Sequence, residues 1–138
     1  MHTYYRARNY EVSPAKDLAS RYAVKYCQQI LNLGPIYIVW ISKKENGSPL
    51  VEKLEPIAGL FYPPNWIYLR ADMGLNLNGI MNLTAHECRH MWQYQNCLEM
   101  DEEDAQAFAE IHRNQLEQGE VNLYVSNSNL RQQLEPLM

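Results

Sequence analysis

The sequence has little of several features that would place it in a common class at once. Only three of its 138 residues are cysteines, Cys27, Cys88 and Cys97. The odd number and the lack of a C-x-x-C pair argue against a disulfide framework and against a zinc ribbon. No cluster of lysine and arginine exceeds Lys43-Lys44, and the formal net charge is −4. Proteins that hold nucleic acid or an anionic membrane surface usually carry a basic face, so neither partner is expected.

Long apolar runs are also missing. The longest, from Gly34 to Ile41, is far short of the roughly 20 residues that a membrane-spanning helix needs. The first residues, MHTYYRARNY, lack the apolar core of a secretory signal, so a cytoplasmic protein is expected. What the chain does have is 46% hydrophobic residues and no internal repeat. This composition predicts one folded domain over residues 1–138.

The first half of the chain predicts a helix followed by short strands. Ser13-Pro14 is typical of a helix start, and Gly34-Pro35 is expected to stop that helix. Strands rich in β-formers are expected at 36–41, at 50–54 after the Asn46-Gly47 turn, and at 58–62 and 66–70 around two prolines. Gly59 and the prolines place the strand at 58–62 on a sheet edge.

The second half predicts two helices. The first begins at Asn76 or Asn78 and continues through Gln95, and the second covers 101–116 with Asp101 as its cap. A short strand is expected at 121–125. The predicted fold is therefore α+β, with an N-terminal helix, a small antiparallel sheet of three to four strands, and two helices that follow the sheet.

One motif carries chemistry. His86-Glu87-Cys88-Arg89-His90 is an H-E-x-x-H sequence on a predicted helix. Two histidines four residues apart lie one helical turn apart on nearly the same line, so both rings can bind one Zn²⁺ ion. Glu87 is rotated by about 100° from His86. It therefore reaches a water on the metal rather than the metal itself, which is the position of a general base.

A catalytic zinc usually takes a third protein ligand, and an acidic segment at 99–104 follows the motif. Glu102 is the preferred ligand because it shares a helix face with Ala105 and Ala109, whose small side chains allow two helices to approach closely. Asp101 serves better as the helix cap. The alternative is that all these acids form a solvated first turn favoured by the helix dipole.

Together, H-E-x-x-H and the later segment Glu102-Glu103-Asp104-Ala105-Gln106-Ala107-Phe108-Ala109 resemble the gluzincin clan of zinc metallopeptidases, including its compact, thermolysin-related and ImmA/IrrE-like members. The resemblance covers about 59–109. It implies a minimal zincin-like domain with zinc ligands at His86, His90 and Glu102 and a general base at Glu87. At the position of Gln106 the family has Asp or Asn. In the family that residue contacts a zinc-binding histidine without touching the metal. A shift of one residue would nominate Glu103 as the third ligand instead.

The resemblance also implies how substrate is held. In such enzymes an edge strand before the active-site helix pairs with an extended peptide, and the matching segment here is 58–62. An ordinary edge strand is equally compatible with the sequence. The oxyanion of peptide hydrolysis needs a further stabilising group, and no single residue stands out. The candidates are Tyr62, Tyr94, His112, Arg113 and Tyr124, of which Tyr62 and His112, like Gln106, are also expected near the cleft.

These features predict a zinc-dependent peptidase that acts on a protein or peptide substrate. Two other functions remain open. One is a catalytically silent zinc-binding module that binds a protein partner. The other is a regulatory peptidase that cleaves a single target. Cys88 lies on the buried stripe of its helix and is expected to act as a small hydrophobic residue.

Overall fold

The computed structural model describes residues 2–6, 12–41 and 58–126. Within these ranges the chain is α+β, as the sequence predicts. The elements in chain order are β1 (His2–Arg6), α1 (Pro14–Leu31), β2 (Ile36–Ile41), β3 (Gly59–Tyr62), β4 (Trp66–Arg70), α2 (Leu77–Gln95), α3 (Glu102–Ile111) and α4 (Arg113–Ser126). The predicted strand at 50–54 and the Asn46-Gly47 turn lie outside the described residues.

Within the described residues the sheet has four strands, in the order β1-β2-β4-β3. The prediction of an antiparallel sheet is wrong for two of its three strand pairs: β1 pairs with β2 in parallel, and β2 pairs with β4 in parallel. Only β3 and β4 are antiparallel neighbours, with Gly59 opposite Leu69. The sequence analysis missed β1, and the connection from β1 through α1 to β2 is the kind of crossover that parallel neighbours require. The strands β2 and β4 are not joined by a hairpin either, because β3 comes between them in the chain.

Helix α1 begins at its predicted cap but ends at Leu31, before Gly34-Pro35, which the sequence predicts as its stop. The Ser13 side chain caps it by accepting a hydrogen bond from the Lys16 amide at 3.2 Å. At the other end, Asn32 adopts the left-handed conformation with a φ of 54°. The buried face is made mostly of small side chains, including Ala15, Ala19, Ala23, Val24 and Cys27. These side chains allow α1 to pack closely on its neighbours.

Helix α2 lies at the centre of the molecule, in contact with α1, α3, α4, β3 and β4. The side chain of Asn76 caps it, accepting from the Gly79 amide at 2.7 Å. Its inner face is fully buried and includes Ile80, Met81, Thr84, Ala85, Cys88 and Met91. Cys88 is 0% exposed and its thiol is hydrogen-bonded to that of Cys27, a contact that, with burial, raises the pKa of Cys88 well above its usual value. The packing of Cys88 in the core agrees with the prediction.

The last part of the chain differs from its prediction. The helix expected over 101–116 is divided at His112, whose backbone leaves the helical region, and α4 begins at Arg113. The strand expected at 121–125 is instead the end of α4, since residues added to a helix that has already formed avoid the cost of nucleating a new element of the helix. Gly119 lies inside α4, where the Tyr22 hydroxyl occupies the space that a Cβ atom would need. Among the described residues, none of the helices is both long enough and apolar enough to cross a membrane.

Candidate metal centre and cleft

The H-E-x-x-H sequence lies on a helix, within α2, as predicted. The rings of His86 and His90 have centroids 4.9 Å apart and planes at 74° to each other. Both rings lie on the side of α2 that faces away from its buried alanine and methionine face. The core therefore fixes the helix, and the helix presents the two imidazoles together.

Glu102, the first residue of α3, brings a carboxylate to both imidazoles. Its Oε2 lies 2.8 Å from Nε2 of His86, and its Oε1 lies 2.9 Å from Nε2 of His90. One ligand atom from each of His86, His90 and Glu102 lies within 4.8 Å of the other two; we call these residues the metal triad. Glu103 is not part of this group and faces a separate surface depression. The structure thus places Glu102, rather than its neighbour, against the histidines.

The neighbours of Glu102 favour the ionised form of its carboxyl group. Partial burial raises the pKa of Glu102, but the hydrogen bond to His86 and the nearby charge of His90 outweigh this effect, and the pKa is lowered overall. The Glu102 side chain is 78% exposed. A group this exposed costs little to keep ionised, so the carboxylate is available as an anionic ligand.

His90 offers evidence that a cation fits between these groups. Its Nε2 is buried and has no hydrogen-bond partner among the described residues. The approach to Glu102 at 2.9 Å is short, but its angles are not those of a hydrogen bond. A buried polar atom without a partner costs free energy. Two imidazole nitrogens and one carboxylate form a donor set that suits Zn²⁺ and leaves a fourth position open for water.

Glu87 is the one acid of the motif and is buried, at 5% exposure. Burial raises the pKa of its carboxyl, while the charges of His86 and His90 and a hydrogen bond from the Phe61 amide lower it in part. The net shift is upward. A carboxyl group with a raised pKa beside the metal triad takes up and releases protons more readily near neutral pH, which is the behaviour that a general base needs.

The metal triad and Glu87 line one cavity of about 780 Å³, which we call the cleft. Its floor is α2, one wall is β3, and the far side is the start of α3. Most of its surface is apolar. The lining side chains and backbone come from Ala58, Gly59, Leu60, Phe61, Pro63, Leu75, Gly79, Asn82, Leu83, His86, Glu87, His90, Met100, Glu102 and Gln106.

Strand β3 is the terminal strand of the sheet within the described residues. The Arg70 amide donates to the Ala58 carbonyl at 2.8 Å. Because bonding alternates along an antiparallel ladder, the backbone groups of Gly59 and Phe61 then face away from β4. The Phe61 amide uses this direction to reach Glu87. As far as the described strands go, the edge expected at 58–62 is therefore present, and it forms one wall of the cleft.

Gly59 also sets how close β3 lies to α2. A Cβ atom at this position would come within 2.9 Å of the Leu83 side chain. That distance is shorter than real Cβ contacts allow. The absence of a side chain therefore permits the strand to lie directly against the motif helix.

Of the other residues predicted near the cleft, Gln106 lines it, whereas Tyr62 and His112 do not. Gln106 lines the cleft, but its amide donates to Glu110 at 3.1 Å and supports neither histidine. Tyr62 is exposed and packs edge-on against Tyr68. His112 is a correction: it does not line the cleft and lies instead with Nδ1 2.6 Å from the Tyr26 hydroxyl on α1. The break in the helix at His112 turns this side chain toward α1.

The remaining oxyanion candidates do not meet the cleft either, as far as the structure describes them. Tyr94 packs on Phe61 at 5.9 Å between ring centroids, and Arg113 pairs with Glu117 on the surface of α4. The Tyr124 side chain lies outside the described residues.

Two polar residues at the site were missed by the sequence analysis. Asn82 lines the cleft one turn before His86, and this spacing was the signal that could have identified it. The Oε1 atom of Gln93 lies 2.9 Å from Nδ1 of His90, at hydrogen-bond distance. Its spacing of three residues from His90 is also a helix-neighbour spacing, but glutamine is too common on helices for this to stand out.

Comparison with known proteins gives no assignment. No family model, no curated protein and no solved structure matches the chain. The geometry of the site is therefore what bears on the function of the chain.

Proposed function

We propose that this chain is a zinc-dependent peptidase of the gluzincin type, in which His86, His90 and Glu102 hold the metal and Glu87 is the general base. One observation carries the proposal: the metal triad converges beside a buried carboxyl group, at the wall of a cleft formed by an edge strand. Bound Zn²⁺ supplies a Lewis acid that activates water at neutral pH. The remaining chemistry belongs to the side chains of the chain itself.

Glu87 performs the proton transfers. Its carboxylate accepts a proton from the attacking water and then delivers it to the nitrogen of the leaving amine. The hydrogen bond from the Phe61 amide holds the carboxyl group in place. Burial raises its pKa, so the protonated form that follows water attack is a stable carrier of that proton.

The cleft suits an extended peptide. The backbone groups of Gly59 and the Phe61 carbonyl face the cleft side of β3, where a substrate strand can pair with them. The apolar lining, including Leu75, Leu83 and Met100, provides sites for apolar side chains of that substrate. In this arrangement the peptide bond passes over the metal triad and beside Glu87.

The test combines metal binding with peptide hydrolysis. Protein freed of metal and reloaded with one equivalent of Zn²⁺ is incubated with a peptide library, alongside Glu87→Gln and the control Glu103→Gln. We expect the wild type and control to cleave and Glu87→Gln to bind Zn²⁺ with normal affinity but to lose about 10²- to 10⁴-fold in rate. Full activity in Glu87→Gln would exclude the mechanism.

A non-hydrolytic zinc-binding module is the second candidate. The observation that favours it is that none of the described oxyanion candidates lines the cleft. In this case the protein binds one equivalent of Zn²⁺, the library is not cleaved, and a peptide still competes for the cleft. The same library experiment therefore separates the two functions.

A further inference from the structure

The Gln93 side chain is buried, and all of its hydrogen-bonding positions have partners. It lies on α2 one turn after His90 and is 1% exposed. Its Oε1 is 2.9 Å from Nδ1 of His90 and 3.1 Å from the Asp101 amide. Its Nε2 is 3.0 Å from the Asp101 carbonyl and 2.9 Å from Oδ2 of Asp104. A glutamine amide has two donors and two acceptor positions, so these four contacts satisfy it completely.

The two contacts with the Asp101 backbone determine which way the amide points. A backbone N–H can only donate and a carbonyl can only accept. The oxygen of Gln93 must therefore face the Asp101 N–H, and its NH₂ group must face the Asp101 carbonyl. The reversed amide would place two donors together and two acceptors together, so only one orientation is compatible with the contacts.

The amide orientation then determines that Nδ1 of His90 acts as a hydrogen-bond donor. Because Oε1 of Gln93 is an acceptor, the Nδ1 atom of His90 must carry the proton that it donates. In a neutral imidazole the other nitrogen, Nε2, then has a free lone pair. This is the atom that lies 2.9 Å from Glu102 without hydrogen-bond geometry. The amide of Gln93 thus prepares His90 as a metal ligand.

The same side chain also holds the helix that carries Glu102. Asp101 is the N-cap of α3, with its carboxylate accepting from the Asp104 amide at 3.1 Å. Asp104 is held by Arg89 through contacts of 2.7 and 3.2 Å, and the hydrogen bonds from Arg89 and Gln93 lower the pKa of Asp104. Gln93 therefore contacts the residues on both sides of Glu102, one before it and one two positions after it.

We infer that Gln93 is a positioning residue for the metal triad. It fixes the tautomer of His90 and, through Asp101 and Asp104, sets the position of Glu102 relative to both histidines. The inference rests on the proposed metal-binding role of the triad. Partners of this kind, which contact a ligand but not the metal, typically contribute 10- to 100-fold to metal affinity.

The tautomer can be measured without metal. In metal-free wild-type protein, long-range ¹H–¹⁵N NMR correlations of the histidine rings are expected to show a proton on Nδ1 of His90. An Nδ1 atom without a proton would overturn the inference. This measurement stands even if the chain has no peptidase activity.

The contribution to metal binding is measured by Zn²⁺ competition against a chromophoric chelator and by the Co²⁺ visible spectrum. The variants are Gln93→Leu, which removes all four hydrogen bonds, and the exposed Gln95→Leu on the same helix as a control. We expect a 10- to 100-fold loss of Zn²⁺ affinity and a changed Co²⁺ spectrum only in the first. Unchanged affinity in folded Gln93→Leu would overturn the inference.

Gln93→Glu keeps the protein testable if the leucine variant fails to fold. A carboxylate still accepts from His90 and from the Asp101 amide, but it repels Asp104. The double variant with Asp104→Asn restores a donor at that position. Gln93→Glu alone should weaken Zn²⁺ binding and the double variant should recover at least part of it, whereas equal affinity in both would contradict the positioning of α3. If the wild type binds no Zn²⁺, the proposed function fails, and the tautomer measurement alone decides the role of Gln93.

Discussion

The two helices that supply the metal triad are held in very different ways. Helix α2 is packed on several sides by α1, the sheet and the later helices, and its His90 side chain is only 6% exposed. Helix α3 is short, and its Glu102 side chain is 78% exposed. The histidines are therefore placed by the core, whereas the carboxylate is placed by a few polar contacts at one helix end. The position of Glu102 is accordingly the more adjustable part of the site.

The largest effect is expected from removing the ligands themselves. His90→Ala and Glu102→Ala should both lose more Zn²⁺ affinity than the 10- to 100-fold typical of an outer contact. Their metal-free stabilities should differ. His90→Ala leaves the buried Gln93 without one partner and should cost about 1–3 kcal/mol, whereas Glu102→Ala should stay within about 0.5 kcal/mol of the wild type.

Chelator competition gives the affinities, and urea unfolding of the metal-free proteins gives the stabilities. Equal stability losses in the two variants would show that α3 is as firmly held by its ligand as α2 is. The comparison between the helices would then be wrong.

A second test changes the contact between the two helices. Ala105 and Ala109 are 0% exposed, and such small side chains allow α3 to approach α2. Ala105→Leu should overpack this contact, cost about 1–3 kcal/mol and weaken Zn²⁺ binding by displacing Glu102. Ala107→Leu, at an exposed position of the same helix, is the control and should change neither quantity. A stable Ala105→Leu with normal Zn²⁺ affinity would show that helix spacing does not position the carboxylate.

The smallest effect concerns the far end of α3, where His112 contacts Tyr26. Burial and the positive charge of Arg89 lower the pKa of His112, so folding favours the neutral ring. Above its ordinary pKa of about 6.5 this contribution to stability is fully present, and it is lost as the pH falls through the lower pKa of the folded state.

The wild type should therefore lose more stability between pH 7.5 and 5 than His112→Gln, whose side chain does not titrate. Urea midpoints measured across this range give the difference directly. Parallel curves for the two proteins would mean that the Tyr26 contact does not depend on the protonation of His112.

Local features of the site could be predicted from the sequence, while features made by distant pairings could not. The placement of His86, Glu87 and His90 follows from helix geometry alone. The position of Glu102 follows from the Asp101 cap and the short connection before it. Both depend on residues close together in the chain, where spacing determines direction.

The sheet and the supporting residues depend on longer-range contacts. The parallel pairing of β1 with β2 joins His2 to Ile36 across a whole helix, and no local pattern reports it. His112 was assigned to the cleft by extending one straight helix, which the structure ends at Ile111. Gln93 has no sequence signature because its role arises only when the start of α3 folds against α2.

The burial of two of the three cysteines has a practical consequence. Cys27 and Cys88 are both enclosed and share a thiol contact between α1 and α2, so they are inert toward reagents that need a free thiolate. Cys97 is exposed in the connection between α2 and α3. A thiol reagent should therefore modify Cys97 selectively. A fluorophore attached there would report on the segment that leads to Glu102.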